Sequence, residues 1–457
     1  MKIFNTYSRS LEEFKPLNAG RIRMFVCGPT VYGFIHVGNA RTFVIFDSFA
    51  KYLEESGFEV FYLQNITDID DKIINRAREM GIEPEELSDR FYREFRKDMT
   101  ALRVDSISLY AKSTLYIKEI INQIEILYRK GFAYDSDDGI YFSVKKFRDF
   151  GKLSGQDMSQ IRHGVRIDLS ESKRDPEDFV LWKKHREGEP YWDSPWGPGR
   201  PGWHIEDTAI TSSLFGDEYD IHGGAVDLIF PHHEAEIAQM RSISGKKFLS
   251  HYWMHSGLLK MGSEKMSKSL GNFVKVREAL TRYTGEQLRF FFLNSKYSSD
   301  LAYSDELMIS SNEALSRIQN AFMNLRNISA DTGSFKLDSK KVIAEFRNLL
   351  DNNFDTRSVF SLLMEKVAEI NRNITDISRE SAKDILEIFH FIDRIFAILK
   401  TDESEYHISK LIESIIELRQ TFRKEKDFQH SDMIRKMLED SGIHIEDSGD
   451  SVKWRIE

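Results

Sequence analysis

The chain has almost no cysteine: Cys27 is the one thiol in 457 residues. That excludes an internal disulfide, a cysteine-only zinc knuckle and the cysteine-rich scaffold of a small secreted domain. Long apolar runs are also lacking. No stretch is long enough to span a bilayer, and Met1-Lys2-Ile3-Phe4-Asn5 lacks the apolar core of a signal peptide, so a cytoplasmic location with no membrane partner is expected. Nor is positive charge in excess. Lys and Arg number 64 against 73 Asp and Glu, a net charge of −9, which argues against a small protein that coats nucleic acid. A large enzyme with a local basic surface remains compatible with that total. Internal repeats and low-complexity tracts are missing, and beyond about Ser304 there are few glycines or prolines.

What is present reads as a folded chain of about three domains, since one core seldom exceeds ~250–300 residues. Arg21–Val26 alternates and ends apolar, as a strand does, and Cys27-Gly28-Pro29-Thr30 breaks it. Apolar residues at helical spacing (Phe43, Phe46, Phe49, Leu53) predict a helix over 39–55, and residues 58–63 read as the next strand. Strand, helix and strand in this order predict an α/β fold with a parallel sheet, whose ligands sit at the carboxyl ends of strands, where Cys27 and Thr67 fall. Residues 120–200 break the pattern and read as an inserted module with short strands. The sheet resumes near Trp203 and continues through residues 219–222 and 252–255. Apolar stripes over 313–328, 341–351, 356–372 and 405–424 predict an all-α helical bundle, and a helix from Gln429 with a hairpin over 443–454 closes the chain.

Three groups of residues carry chemistry. His36-Val37-Gly38-Asn39 stands between the first strand and the first helix, where a helix N-terminus suits phosphate; Gly38 lets a flat ligand approach the backbone. Lys265-Met266-Ser267-Lys268-Ser269 lies in a loop between Gly262 and Gly271, and its lysines can neutralise charge building on a polyphosphate. Third, His232 and Glu236 are four apart after Pro231, read as a first helical residue, and Cys27 lies at a strand end that can meet them. On a helix only one of His232 and His233 can face a metal with Glu236. For each group a plain structural role is the alternative: an ordinary loop, a solvated lysine run, a buried small thiol.

The pair HxGN and KMSKS around one sheet resembles the two signatures of class I aminoacyl-tRNA synthetases. Longer stretches narrow the resemblance to the cysteinyl-tRNA synthetase family: residues 27–32, 65–72, 151–155, 173–176, 199–206 and 230–234, with Asp432-Met433-Ile434-Arg435 and Gly442-Ile443 near the end. The resemblance implies a class I Rossmann-type catalytic domain with an inserted module, followed by an all-α bundle and a small C-terminal module. Its boundaries would be 1–120 and 201–257 for the catalytic halves, 121–200 for the insert, 258–303 for the KMSKS stem-contact region, 304–400 for a tRNA-contacting bundle and 401–457 for an anticodon module. It implies one Zn2+ per chain that binds the substrate thiolate, held in the family by two cysteines, a histidine and a glutamate. Carried over by motif, these are Cys27, His232, Glu236 and position 207, which here is Asp207. A carboxylate oxygen is an acceptable, harder zinc ligand.

The same resemblance implies ATP binding with Mg2+ through His36, Gly38, Asn39, Lys265, Ser267 and Lys268, of which His36, Asn39, Lys265 and Lys268 are catalytic. Asn39 stands where histidine is usual in the family. It implies a cysteine pocket made with Cys27, Gly28, Thr67, Trp203 and His222, although Trp203 could be plain core, Thr67 a turn residue and His222 a strand cap. tRNA(Cys), L-cysteine and ATP are the implied partners, and a monomer is expected. Arg419, Arg423, Lys424 and Lys426 form a local basic stretch for tRNA phosphates, and Trp454 could stack on a base. Their alternatives are a solvated helix face, interleaved with Glu417, Glu425 and Asp427, and a hairpin core residue. Two other functions fit parts of this pattern: a ligase joining cysteine to a small amine, and a catalytically silent tRNA-binding relative, supported by Asp207 alone.

Overall fold

The computed structural model describes residues 1–156, 172–262, 264–265, 273–400, 403–425, 427–448 and 451–456. Two compact units divide the chain, Met1–Leu399 and Lys400–Glu457. The first is built on a five-stranded sheet. Its strands are β1 (Arg21–Val26), β2 (Glu59–Ile66), β3 (Leu109–Lys112), β4 (Tyr219–Ala225) and β5 (Ser250–Ser256). They lie in the order β3-β2-β1-β4-β5, and every pair is parallel. Helix α1 (Val37–Glu55) crosses from β1 to β2, so the chain leaves β1 first to one side and returns later to the other. The crevice where strand order reverses lies between the ends of β1 and β4, the place such sheets bind ligands. This is the Rossmann-type α/β fold that the sequence predicts. Residues 21–26 match as a strand to the residue, and α1 begins two residues before the expected 39.

Helices α2 (Trp203–Phe215) and α3 (Glu234–Ser244) flank β4 in sequence. The stretch before α2 carries a four-stranded antiparallel sheet, Ala133–Asp135, Gly139–Phe142, Phe179–Lys184 and Gly199–Pro201. Its apolar side packs on the helices of the main sheet: Phe142, Leu181 and Trp182 share one core with Ile205, Ala209 and Ala238. Four helices follow at Asp305–Arg326, Ser339–Leu350, Thr356–Arg372 and Arg379–Phe396. Each begins where a short polar side chain caps it, Ser304, Asp338, Asp355 and Ser378 accepting the N–H three residues on. Such caps contribute about 1 kcal/mol each. The bundle shares one hydrophobic core with the underside of the sheet, running from Phe46 and Phe49 of α1 to Phe346 and Phe389. The fully buried Arg289, on helix Gly285–Leu293, links the two: it pairs with Asp47 of α1 at 2.7 Å and donates to Phe396 O at 2.6 Å.

The second unit has helices Glu403–Lys424 and Phe428–Asp440 and an antiparallel hairpin, Ile443–Ser448 with Ser451–Ile456. Ile412, Ile416, Ile434, Leu438 and Ile445 form its own core. No helix among the described residues is long and apolar enough to cross a membrane.

Candidate functional site

Cys27 follows the last residue of β1, and its N–H donates to Gly223 O of β4 at 3.1 Å, which seats the thiol on the reversal crevice. Gly28 comes next, where a Cβ would lie 1.8 Å from Asn65 O, so only glycine fits against β2. Its N–H donates to Asn65 Oδ1 at 2.5 Å. Asp207 comes from the start of the second turn of α2. His232 comes from a wide turn, Ile229–His233, and Glu236 from the first turn of α3. This corrects the reading of Pro231 as a first helical residue, since regular helix starts at Glu234. Residues 229–233 are not regular α-helix, and His232 and His233 are both buried there; His232 meets Glu236, and His233 meets Cys27 from the other side.

The ligating atoms of Cys27, Asp207, His232 and Glu236 all lie within 4.8 Å of one another, and all four residues are buried. His232 Nε2 is 3.0 Å from Asp207 Oδ2 and 3.0 Å from Glu236 Oε1. One ring nitrogen cannot donate to both, and Glu236 Oε1 is left buried without a hydrogen-bond donor. Three acidic groups packed together in the interior are costly unless a cation offsets them. Burial, then Glu236 and Asp207, push the Cys27 thiol well up. Burial likewise raises Glu236. Burial alone would lower His232, but the Glu236 and Asp207 carboxylates raise it. The set offers one sulfur, one imidazole nitrogen and two carboxylate oxygens, which fits a tetrahedral zinc ion. Asp207 Oδ1 is meanwhile held by Asn65 Nδ2 at 2.5 Å, and His232 Nδ1 meets His204 Nδ1 at 2.8 Å. Both are the outer contacts that orient metal ligands.

A second set, Cys27, His222, His233 and Glu236, meets the same distance test. His222 Nε2 is 3.6 Å from Cys27 Sγ and 3.5 Å from Glu236 Oε2, and His233 Nε2 is 3.1 Å from Cys27 Sγ. Burial keeps Tyr219 a phenol. Its hydroxyl lies 2.7 Å from His222 Nδ1, a hydrogen bond in which either atom can donate according to the imidazole tautomer. Burial also keeps His222 and His233 neutral. Trp253 stacks on His222, with ring centroids 4.1 Å apart.

The other expected residues are placed as follows. Trp203 opens α2, stacks on His232 at 4.2 Å and 11°, and is 38% exposed, so it is not core. Thr67 is buried beyond β2 and exchanges main-chain bonds with residues 29 and 31. His36 caps α1: its Nδ1 accepts the Asn39 N–H at 3.2 Å, which leaves the ring proton on Nε2. Asn39 Oδ1 accepts the His36 N–H in return at 3.3 Å. Gly38 has the His36 ring 2.8 Å from where a Cβ would stand. Of the lysine loop, Lys265 is placed by its main chain, in a short strand paired with Leu259–Met261. Ser267 and Lys268 lie outside the described residues, as does Lys426.

Arg419 needs correction as a surface cation. It is 2% exposed, because it continues the buried stripe of Ile412 and Ile416 at helical spacing. Arg423 and Lys424 are exposed. Trp454 is half-buried against the core of the second unit. Sequence reasoning missed Asn65, His204 and His255; for Asn65 the signal was its place two residues before Thr67, on the same face of β2.

Comparison with known proteins bears on this geometry. A family model described as "tRNA synthetases class I (C) catalytic domain" matches residues 13–313. The cysteine–tRNA ligase of Thermoplasma volcanium is 52% identical over 455 residues, which is 99% of each chain. That of Thermococcus gammatolerans is 43% identical over 475 residues, covering 100% of this chain and 99% of its own. Among solved structures, Mycobacterium tuberculosis methionyl-tRNA synthetase with methionyl-adenylate superposes with a TM-score of 0.60 at 15% identity, covering 82% of this chain and 92% of that one. A LeuRS–tRNA–LeuAMS complex from Agrobacterium radiobacter gives 0.61 at 10% identity, covering 84% and 85%. The two structural likenesses establish the fold. The end-to-end identity goes further: the chain belongs to the cysteine–tRNA ligase family of class I tRNA synthetases.

Proposed function

We infer that the protein is a cysteine–tRNA ligase that activates L-cysteine with ATP and transfers it to the terminal ribose of tRNA(Cys). The observation that carries this reading is a thiol, two carboxylates and an imidazole gathered at the reversal crevice of a class I sheet, in a chain similar along its whole length to cysteine–tRNA ligases. In the first step the cysteine carboxylate attacks the α-phosphorus of Mg2+-bound ATP. The new C–O–P bond forms as the α–β bridging P–O bond breaks, and pyrophosphate leaves with the electron pair. The nucleophile is already ionised, so no general base is needed and positioning supplies the rate. His36 and Asn39 at the N-terminus of α1, with Gly38, meet the phosphates. Lys265, Ser267 and Lys268 offset charge on the leaving group. In the second step the 2′-hydroxyl of the terminal ribose attacks the adenylate carbonyl and AMP departs.

Cys27, Asp207, His232 and Glu236 are the residues that would hold zinc. A zinc ion there supplies a Lewis acid that prefers the thiolate of cysteine to the hydroxyl of serine, a distinction a shape-selective pocket makes by only ~1–3 kcal/mol. Asp207 keeps the formal charge that a cysteine thiolate would contribute. Trp203 walls the side chain, and Gly28, Thr67 and His222 line the rest. Residues 304–400 and the unit beyond contact tRNA, with Arg423, Lys424 and Lys426 on phosphates and Trp454 at a base. The enzyme acts as a cytoplasmic monomer. The test is zinc per chain by elemental mass spectrometry after exhaustive dialysis, together with cysteine-dependent pyrophosphate exchange and tRNA charging. About one zinc with both activities is expected. Cysteine transfer from the adenylate to an acceptor that persists after RNase treatment would instead point to a small-amine acceptor.

A further inference from the structure

Arg41 lies one turn into α1, beyond His36 and Asn39, and is fully buried. Among the described residues no carboxylate pairs with it. Its guanidinium is spent on main-chain carbonyls: Nη1 donates to Gly257 O at 2.8 Å and Leu258 O at 3.0 Å, and Nη2 to Ser299 O at 2.6 Å and Lys296 O at 3.4 Å. Ser295 Oγ, at 3.4 Å from Nη2, completes the set. Burial lowers the guanidinium only to about 10, so it stays charged at neutral pH. A buried cation with no ion-pair partner, attracted only at longer range by Asp300 and held by two separate chain segments, is a costly arrangement. One of those segments leads into the lysine loop, and the other leads into the strand that pairs beside it. Gly257 and Leu258 lead into the strand Leu259–Met261, which pairs with Lys265 on one side and Leu301 on the other.

The outgoing end of the loop is fixed to the same helix. Val37 N–H donates to Val274 O at 2.9 Å, and Val276 N–H to Ile35 O at 3.1 Å. Residues 257–261 and 274–276, on either side of the lysine sequence, are thus mounted on α1 and the turn that carries His36. The fit around the arginine is tight: a Cβ on Gly257 would lie 2.2 Å from Ser299 O.

We propose that Arg41 is a positioning residue for adenylate formation, a clamp that registers residues 257–261, the strand leading to the lysine sequence, against the helix bearing His36 and Asn39. The proposal rests on the ligase reading above. A clamp of this kind governs the step in which the lysines meet pyrophosphate. It has no part in cysteine binding, which belongs to the Cys27 crevice, or in transfer from a preformed adenylate.

The test uses the full-length zinc-loaded enzyme and three variants: Arg41→Lys, Arg41→Gln and Gly257→Ala. Single-turnover adenylate formation, the KM for cysteine and transfer from adenylate to tRNA are measured beside the melting temperature. Adenylate formation is expected to fall about 10²-fold, the effect of roughly 1 Å of misplacement. The cysteine KM and the transfer rate should hold, with Arg41→Lys retaining more activity than Arg41→Gln. Gly257→Ala keeps the arginine and displaces Ser299 from the other side, so it answers the question if Arg41→Gln fails to fold. Equal slowing of both steps, or unchanged adenylate formation in Arg41→Lys and Gly257→Ala, overturns the clamp. A parent enzyme without cysteine-dependent exchange overturns the ligase reading itself.

Discussion

Asn65 ties two sides of the crevice with one side chain, its amide nitrogen on Asp207 and its oxygen on the Gly28 N–H. Held this way, Asp207 presents a single oxygen, Oδ2, to the site. Asn65→Ala is therefore expected to weaken zinc binding by ~10–100-fold, read by competition with a chromophoric chelator. Unchanged affinity would show that Asp207 needs no such support. The ligand quartet is legible in the sequence only through distant stretches that resemble one family; spacing by itself relates His232 to Glu236 and nothing else. The contacts behind the quartet are not legible, because strand order decides them. Asn65 and Asp207 are 142 positions apart and His255 and Thr6 are 249 apart, and periodicity carries no information at that range. Arg419 fails for the opposite reason: its charge suggests a surface, while its position on the helix puts it in line with two buried isoleucines.

At the scale of elements, the segment leaving the lysine loop is held by a second contact besides the main-chain pairing. Arg277 of helix Val276–Leu280 bridges Glu94 at 2.8 Å and Asp98 at 3.2 Å on helix Pro84–Ala101, and its guanidinium lies 3.6 Å from the Phe34 ring centroid. Burial raises the Asp98 carboxyl to about 6, more than Arg277 lowers it. A carboxyl with a higher value folded than unfolded contributes stability that is complete below the unfolded value of about 3.9, and that contribution is lost as pH rises through about 6. Asp98→Asn removes this loss and leaves Glu94 to pair Arg277. Its melting temperature relative to the parent should be higher at about pH 8 than near pH 4. A difference that is flat with pH would mean that Asp98 ionises without cost. Elements of this kind were readable where one face is apolar, as in β1 and three of the four bundle helices; Arg379–Phe396 was not among the expected stripes, and the fourth expected one, 405–424, falls in the second unit. The insert was readable only as a break in pattern, since its short strands, Ala133–Asp135 and Gly139–Phe142 among them, are too brief for a period to show.

At the scale of the molecule, the two units keep separate cores. The cluster of Ile412, Ile416, Ile434, Leu438 and Ile445 contains no residue from before 400, while sheet and bundle share one core from Ile3 to Leu399. A chain ending at 399 should fold and retain cysteine-dependent pyrophosphate exchange. Its tRNA charging should fall by at least ~10²-fold if the missing unit reads the tRNA, as measured by aminoacylation at subsaturating tRNA. Equal charging by the short chain would remove that role. The position of the lone cysteine has another use. Every other side chain is silent to thiol reagents, so the intact protein carries a built-in reporter at its most chemically demanding point. Alkylation followed by whole-protein mass should add no label to the zinc-loaded enzyme; after chelation one label per chain should form slowly at neutral pH and faster as pH rises, because burial and the neighbouring carboxylates push the thiol up. Occupancy of a buried site can then be counted molecule by molecule, with no tag, no engineered residue and no background to subtract.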